Sequence, residues 1–309
     1  MLKYNIYEQS MSDKFGVWML QKASKLNSVK EHSLVNFKFI YTSKLSENYT
    51  YPDNVLFEKL NINGLIVEKI SLVDSKDKYA LIQLHGGAYV LEYNDTYRKV
   101  AKTYLGCKKD LTVFSPRYSL APTHPYPAAL NESVSLYEYL LNKGYKSSNI
   151  IIAGDSAGGG LAIALTLYLR DHLIPLPKAL ITMSPWTNLA MNGKSHEENK
   201  YKDLLLGNNT KPLDVEAYTQ GKDVKNPYIS PRYGDYKEFV DMLMFVGGDE
   251  ILLSDTLDIA DLAKNYNEIE VYNFKGMFHV FPLAFNKMSS SRTVWKIIEE
   301  YLNKKLREK

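Results

Sequence analysis

Residues 150–169 read IIIAGDSAGGGLAIALTLYL. The opening Ile150–Ala153 is a short β-branched, apolar run, and Leu161–Leu169 continues as an apolar segment of helical length. Between them lies Gly154-Asp155-Ser156-Ala157-Gly158-Gly159-Gly160. A strand that passes directly into a helix must turn sharply, so the residues two before and two after the turn serine need to be small. Gly154 and Gly158 meet that need. Such a turn lifts the Ser156 hydroxyl above a sheet and sets helix N-terminal N–H groups behind it, where negative charge is favoured. The strand is continuously apolar rather than alternating, which is the pattern of a strand covered on both faces.

Outward from this point the same pattern repeats. Strands are expected at Leu56–Leu60, Leu65–Leu72, Ala80–His85, Leu111–Ser115, Ile150–Ala153, Ala179–Met183, Met242–Val246 and Ile269–Phe274. Helix-length segments separate the later ones. Asn63-Gly64 joins the second strand to the first as a tight hairpin. The fold class is therefore α/β, with an eight-stranded, mostly parallel sheet flanked by helices. Two stretches break the alternation. Residues 11–26 carry Met11, Phe15, Trp18, Met19 and Leu26 at helical spacing. Residues 187–230 are polar, and an insertion of that length in an α/β domain points to a lid or binding element.

Composition excludes several classes. The 309 residues are 45% hydrophobic and 24% charged, which rules out a disordered or collagen-like chain. A net charge of +3 is too small for a nucleic-acid footprint. The first fifteen residues hold no apolar signal core, and Ser156–Leu169 is too short to span a bilayer, so integral membrane association is not expected. The single cysteine, Cys107, cannot form an intrachain disulfide, and no metal-ligand spacing surrounds it. These features point to a cytoplasmic protein.

A serine hydroxyl needs a base. Of the six histidines, His32 precedes the sheet, His124 sits in a proline-rich loop, His172 ends a helix and His196 lies in the polar insertion. His85 opens His85-Gly86-Gly87-Ala88 after a strand, where its ring is expected to hold the loop. His279 alone follows the last strand, as the order serine, acid, histidine requires. Gly86 and Gly87 can aim N–H groups at a developing oxyanion, joined by Ala157 next to the serine. Three carboxylates follow the penultimate strand: Asp249, Glu250 and Asp255. Asp255 is set too far into the next helix, and chain physics leaves Asp249 and Glu250 open.

HGGA (85–88), RYSLAPTHPYPAAL (117–130), GDSAGG (154–159), SPWTNL (184–189), GGDEILLSD (247–255) and GMFHVF (276–281) together resemble the hormone-sensitive-lipase-like branch of the α/β-hydrolases. That branch includes bacterial carboxylesterases and arylacetamide deacetylases. The likeness departs in two places. Ala88 replaces the third glycine of the family's H-G-G-G, and Thr123 stands where glutamate is usual. The resemblance sets Glu250-Ile251-Leu252 on the family's D-x-L pattern, which implies Glu250 as the acid with Asp249 as the alternative. It also implies a core of residues 51–186 and 231–309, under a helical cap built from residues 1–50 and 187–230. Trp186, Phe15 and Trp18 would be candidate pocket walls.

The expected activity is that of a serine carboxylesterase on short-to-medium acyl esters, with catalytic Ser156, Glu250 and His279 and no metal or cofactor. Its partner would be a small-molecule ester, with a homo-oligomer open. The same residues would also serve an amidase, formamidase or lactonase. A non-catalytic ligand-binding protein is disfavoured, because the family's hormone receptors have lost the histidine that this chain keeps.

Overall fold

The computed structural model describes residues 1–26, 44–207, 213–284 and 288–307. Among these, nine strands form one sheet: β1 (Leu2–Tyr7), β2 (Val55–Ile62), β3 (Leu65–Leu72), β4 (Tyr79–Leu84), β5 (Leu111–Pro116), β6 (Ile150–Asp155), β7 (Ala179–Met183), β8 (Asp241–Gly247) and β9 (Ile269–Phe274). Their order across the sheet is β1-β9-β8-β7-β6-β4-β5-β3-β2. β2 and β3 are antiparallel to their neighbours, and every other pairing is parallel. The hairpin between β2 and β3 turns at Asn63 and Gly64, both at positive φ, and Asn61 Oδ1 accepts the Gly64 N–H at 2.8 Å.

Nine strands replace the eight expected. The extra one, β1, pairs in parallel with β9, from Leu2 opposite Ile269 to Tyr7 opposite Phe274. Residues 2–7 therefore belong to the sheet and not to the cap. Their segment, LKYNIY, mixes polar with apolar residues because an outermost strand keeps one edge and much of its surface in water.

The helices are α1 (Met11–Leu26), α2 (Asp95–Cys107), α3 (Ala128–Asn142), α4 (Ser156–Asp171), α5 (Lys194–Glu198), α6 (Val215–Thr219), α7 (Leu253–Ala263), α8 (Phe281–Ala284) and α9 (Ser289–Lys305). α2 packs on α9, and α3 packs on α4. β4, β5, β6 and β7 are buried along their whole length, so each face of the sheet carries a helical layer. α4 is buried at all but three of its sixteen residues and forms the centre of one layer. α1 is fastened differently. Asp13 accepts the Ser290 N–H at 3.1 Å and its hydroxyl at 2.8 Å, so one helix supplies the cap at the start of another, α9.

Because the central strands run parallel, their carboxyl ends meet at one edge. The loops after β4, β6, β8 and β9 all emerge there, which is where an open α/β sheet places its site. His32 lies outside the described residues.

Candidate active site

The turn from β6 into α4 is as tight as its composition implies. Ser156 sits at φ +53°, in the left-handed region. A Cβ on Gly154 would lie 2.3 Å from the Gly158 carbonyl oxygen, and one on Gly158 would lie 2.2 Å from the Leu84 carbonyl oxygen. Any larger residue at either position would push the strand and helix apart. Ser156 Oγ stands 2.9 Å from His279 Nε2. The loop after β9 carries His279, and the loop after β8 carries its partner: His279 Nδ1 lies 2.7 Å from Glu250 Oε2.

Glu250 and His279 are fully buried. An isolated carboxylate in such a place would cost several kcal/mol. Here Glu250 accepts from the His279 ring, from Ser184 Oγ at 2.8 Å and from the Gly247 N–H at 2.5 Å. Ser184 Oγ also accepts the Val280 N–H at 3.1 Å, so one hydroxyl ties the acid to the backbone beside the histidine. Ser184 opens the SPWTNL stretch; the motif was visible in the sequence, but this duty of its serine was not.

Asp249, the alternative acid, is only half-buried, and its N–H donates to the Met277 carbonyl. Burial raises its carboxyl pKa above the ordinary value, and it makes no bond to the imidazole. Asp255 points away, accepting the Thr187 and Asn188 N–H groups and facing His196 Nε2 at 2.7 Å.

The assignment of Gly86 to the oxyanion hole needs correction. Its N–H donates to Tyr97 Oη at 2.8 Å and to Asp155 Oδ1 at 3.2 Å, so it is spent on holding the loop. The next two amides, Gly87 and Ala88, find no acceptor among the described residues, and neither does Ala157 in the first turn of α4. Gly87 and Ala88 both adopt positive φ. The amides left without an acceptor are thus those of Gly87, Ala88 and Ala157, one residue along the chain from the pair expected. Spacing alone could not reveal this, because the direction of an N–H depends on φ and ψ. The Tyr97 and Asp155 partners that claim Gly86 come from distant segments.

His85 behaves as expected. Its Nδ1 donates to the Gly86 carbonyl, its ring stacks on Tyr118 at 4.1 Å, and Tyr118 Oη donates to the His85 carbonyl. Complete burial pushes the imidazole pKa down to about 4, so the ring is neutral near pH 7. The Cys107 thiol is pushed by burial up to about 12, which removes it as a nucleophile.

The polar insertion does not hang free over the site. Ser195 Oγ donates to the Ile251 carbonyl, Asn199 Nδ2 donates to the Gly248 and Glu250 carbonyls, and Asp203 Oδ2 accepts the Ile251 N–H. Burial works against a charged His196, but the Asp255 carboxylate outweighs it and holds the ring above its ordinary pKa. Residues 193–206 therefore brace the loop that presents Glu250. Further along, Tyr218 of α6 stacks at 3.8 Å on Tyr89, the residue after Ala88. Trp186 is fully buried, and its backbone N–H donates to the Ser156 carbonyl. Phe15 and Trp18 are 62% and 48% exposed.

The profile of the α/β-hydrolase fold family matches residues 81–283. The chain is an α/β-hydrolase. This hydrolase is 35% identical over 207 residues to an acetyl-hydrolase of Streptomyces hygroscopicus, covering 67% of this chain and 69% of the relative. An esterase of Acinetobacter venetianus is 31% identical over 237 residues, covering 75% and 78%. Among solved structures, an esterase from the bacterial hormone-sensitive lipase family superimposes with a TM-score of 0.83 at 27% identity, covering 97% of this hydrolase and 99% of that chain. The branch that the six motifs suggested is the one to which the hydrolase belongs. Among the described residues, no helix is long and apolar enough to cross a membrane, and no group of three or more His, Cys, Asp or Glu could hold a metal ion.

Proposed function

We propose that this α/β-hydrolase is a serine carboxylesterase that cleaves small carboxylic esters through an acyl-enzyme. The observation that carries the reading is the unbroken hydrogen-bonded line from Ser156 Oγ through both His279 nitrogens to Glu250. In this mechanism Ser156 attacks the ester carbonyl while His279 Nε2 takes the hydroxyl proton. Glu250 fixes the tautomer and balances the imidazolium. The tetrahedral oxygen is held by the N–H groups of Gly87, Ala88 and Ala157, each such donor being worth about 3 kcal/mol. The alcohol leaves with the proton from His279. Water, activated by the same nitrogen, then releases the acid.

Residues 187–230 act as the cap, with Tyr89, Tyr218 and Trp186 bounding the acyl side. Tyr89 directly follows Ala88 and its ring packs on Tyr218 and near Trp186; a pocket bounded by these rings would favour a short acyl group, and a relative named for acetyl hydrolysis supports that preference. The lone, inert cysteine fits action in the cytoplasm.

The test is turnover of p-nitrophenyl acetate and butyrate. Ser156→Ala should lose about 10⁴-fold or more in kcat and resist labelling by a fluorophosphonate that modifies the wild type. Equal hydrolysis by both proteins would overturn the assignment.

A further inference from the structure

Residues 275–278 carry the chain from the end of β9 to His279, so the place of the imidazole depends on how this short link is held. Part of the hold comes from the acid loop. The Asp249 N–H donates to the Met277 carbonyl at 3.1 Å, and the Gly248 N–H donates to the Phe274 carbonyl at 2.8 Å. Beyond the ring, Ser184 Oγ accepts the Val280 N–H.

The rest comes from residues 7–9, which lie more than 260 positions away in sequence. β1 pairs in parallel with β9, so both strands end at the same edge, and the chain leaving β1 meets the link. The Tyr7 carbonyl accepts the Lys275 N–H at 2.9 Å, and the Tyr7 ring stacks on Phe274 at 4.7 Å. Phe274 packs on Phe281 at 5.1 Å, so two rings that flank His279 in sequence close the base of its loop. Gln9 follows, half-buried. Its Nε2 donates to the Gly276 carbonyl at 2.6 Å and lies 3.8 Å from Met277 Sδ. Gly276 stands at φ +68°, and a Cβ there would lie 2.5 Å from Gln9 Cδ. Glycine thus serves the link twice, by allowing the left-handed turn and by leaving room for the Gln9 amide.

We propose that Gln9 is a positioning residue for the catalytic base: its amide pins the Gly276 carbonyl and so fixes the loop that sets His279 Nε2 at 2.9 Å from Ser156 Oγ. Gln9 acts through the backbone of residues 276–279. The imidazole must meet Ser156 with one nitrogen and Glu250 with the other, which leaves it little freedom to shift. A misplacement of about 1 Å can cost about a hundredfold in rate. The proposal deepens the esterase reading and rests on it, because its readout is the turnover that His279 supports.

The experiment compares full-length wild type, Gln9→Ala, Gln9→Glu and Asn5→Ala on p-nitrophenyl butyrate, with a thermal melt of each. Gln9→Ala should lower kcat about tenfold with KM within about twofold, and should slow fluorophosphonate labelling in parallel. Gln9→Glu keeps the shape but turns an acceptor toward the carbonyl, so it should lose at least as much. Asn5→Ala is the control for the strand itself. It removes the β1 side-chain bond to the Val271 carbonyl, away from the link, so it should lower the melting temperature while kcat stays at the wild-type value. Wild-type kcat in either Gln9 variant would overturn the proposal, as would a loss confined to KM. So would an equal fall of kcat in Asn5→Ala, which would reduce Gln9 to a support of the sheet edge. Failure of the esterase reading would register separately, as a wild type with neither ester turnover nor fluorophosphonate labelling, and would take this proposal with it.

Discussion

Two adjacent carboxylates with opposite fates set the residue scale. Glu250 is buried and spends both oxygens on donors, while Asp249 is half in water and out of reach of the ring. Glu250→Gln should therefore lower kcat by about 10³- to 10⁴-fold, because the amide cannot balance an imidazolium. Asp249→Asn should change it by no more than about threefold, and kcat on p-nitrophenyl butyrate separates the two. The motif alone could not make this choice, since neighbouring side chains on a loop point apart in a direction that only the backbone sets. His85 carries a second expectation. The folded protein holds its ring near pKa 4, below the ordinary 6.5, so the unfolded chain takes up the proton first as pH falls. Stability should be full above about pH 6.5 and decline toward pH 4, by up to about 3 kcal/mol. Urea melts at stepped pH would show that slope, and His85→Gln should flatten it.

At the scale of elements, the elbow and the brace beside it were legible to different degrees. Ile150–Ala153, the glycines and the helix that follows are contiguous in sequence, so periodicity and residue size suffice to read them. The brace from residues 193–206 to residues 247–255 is not contiguous. It is made of single side chains, Ser195, Asn199 and Asp203, reaching backbone groups about 50 positions away, and no local pattern announces such bonds. Their placement recasts the insertion as a support for the acid as well as a cover. Asn199→Ala removes two hydrogen bonds, one buried and one part-buried, and should cost about 2 kcal/mol of stability. It should also lower kcat about tenfold with KM nearly unchanged, because Glu250 loses its fixed position. A variant that is less stable yet turns over at the wild-type rate would reduce the brace to a purely structural role.

Taken whole, the molecule ends its sheet with a strand that a reading of the sequence passed over. Leu2, Tyr4 and Ile6 do alternate with Lys3 and Asn5, but six residues make a short signal, and the partner strand lies far along the chain: Asn5 Nδ2 donates to the Val271 carbonyl 266 positions later. Parallel pairing also orders events in time. During synthesis the segment that will become β1 emerges before β9, and it has nothing to lie against until β9 is made. Until then Leu2, Tyr4 and Ile6, and the helix that follows them, wait without a template while the centre of the domain condenses. This edge of the sheet is therefore translated long before it can be laid down, and a nascent chain stalled before residue 269 would carry it unpaired.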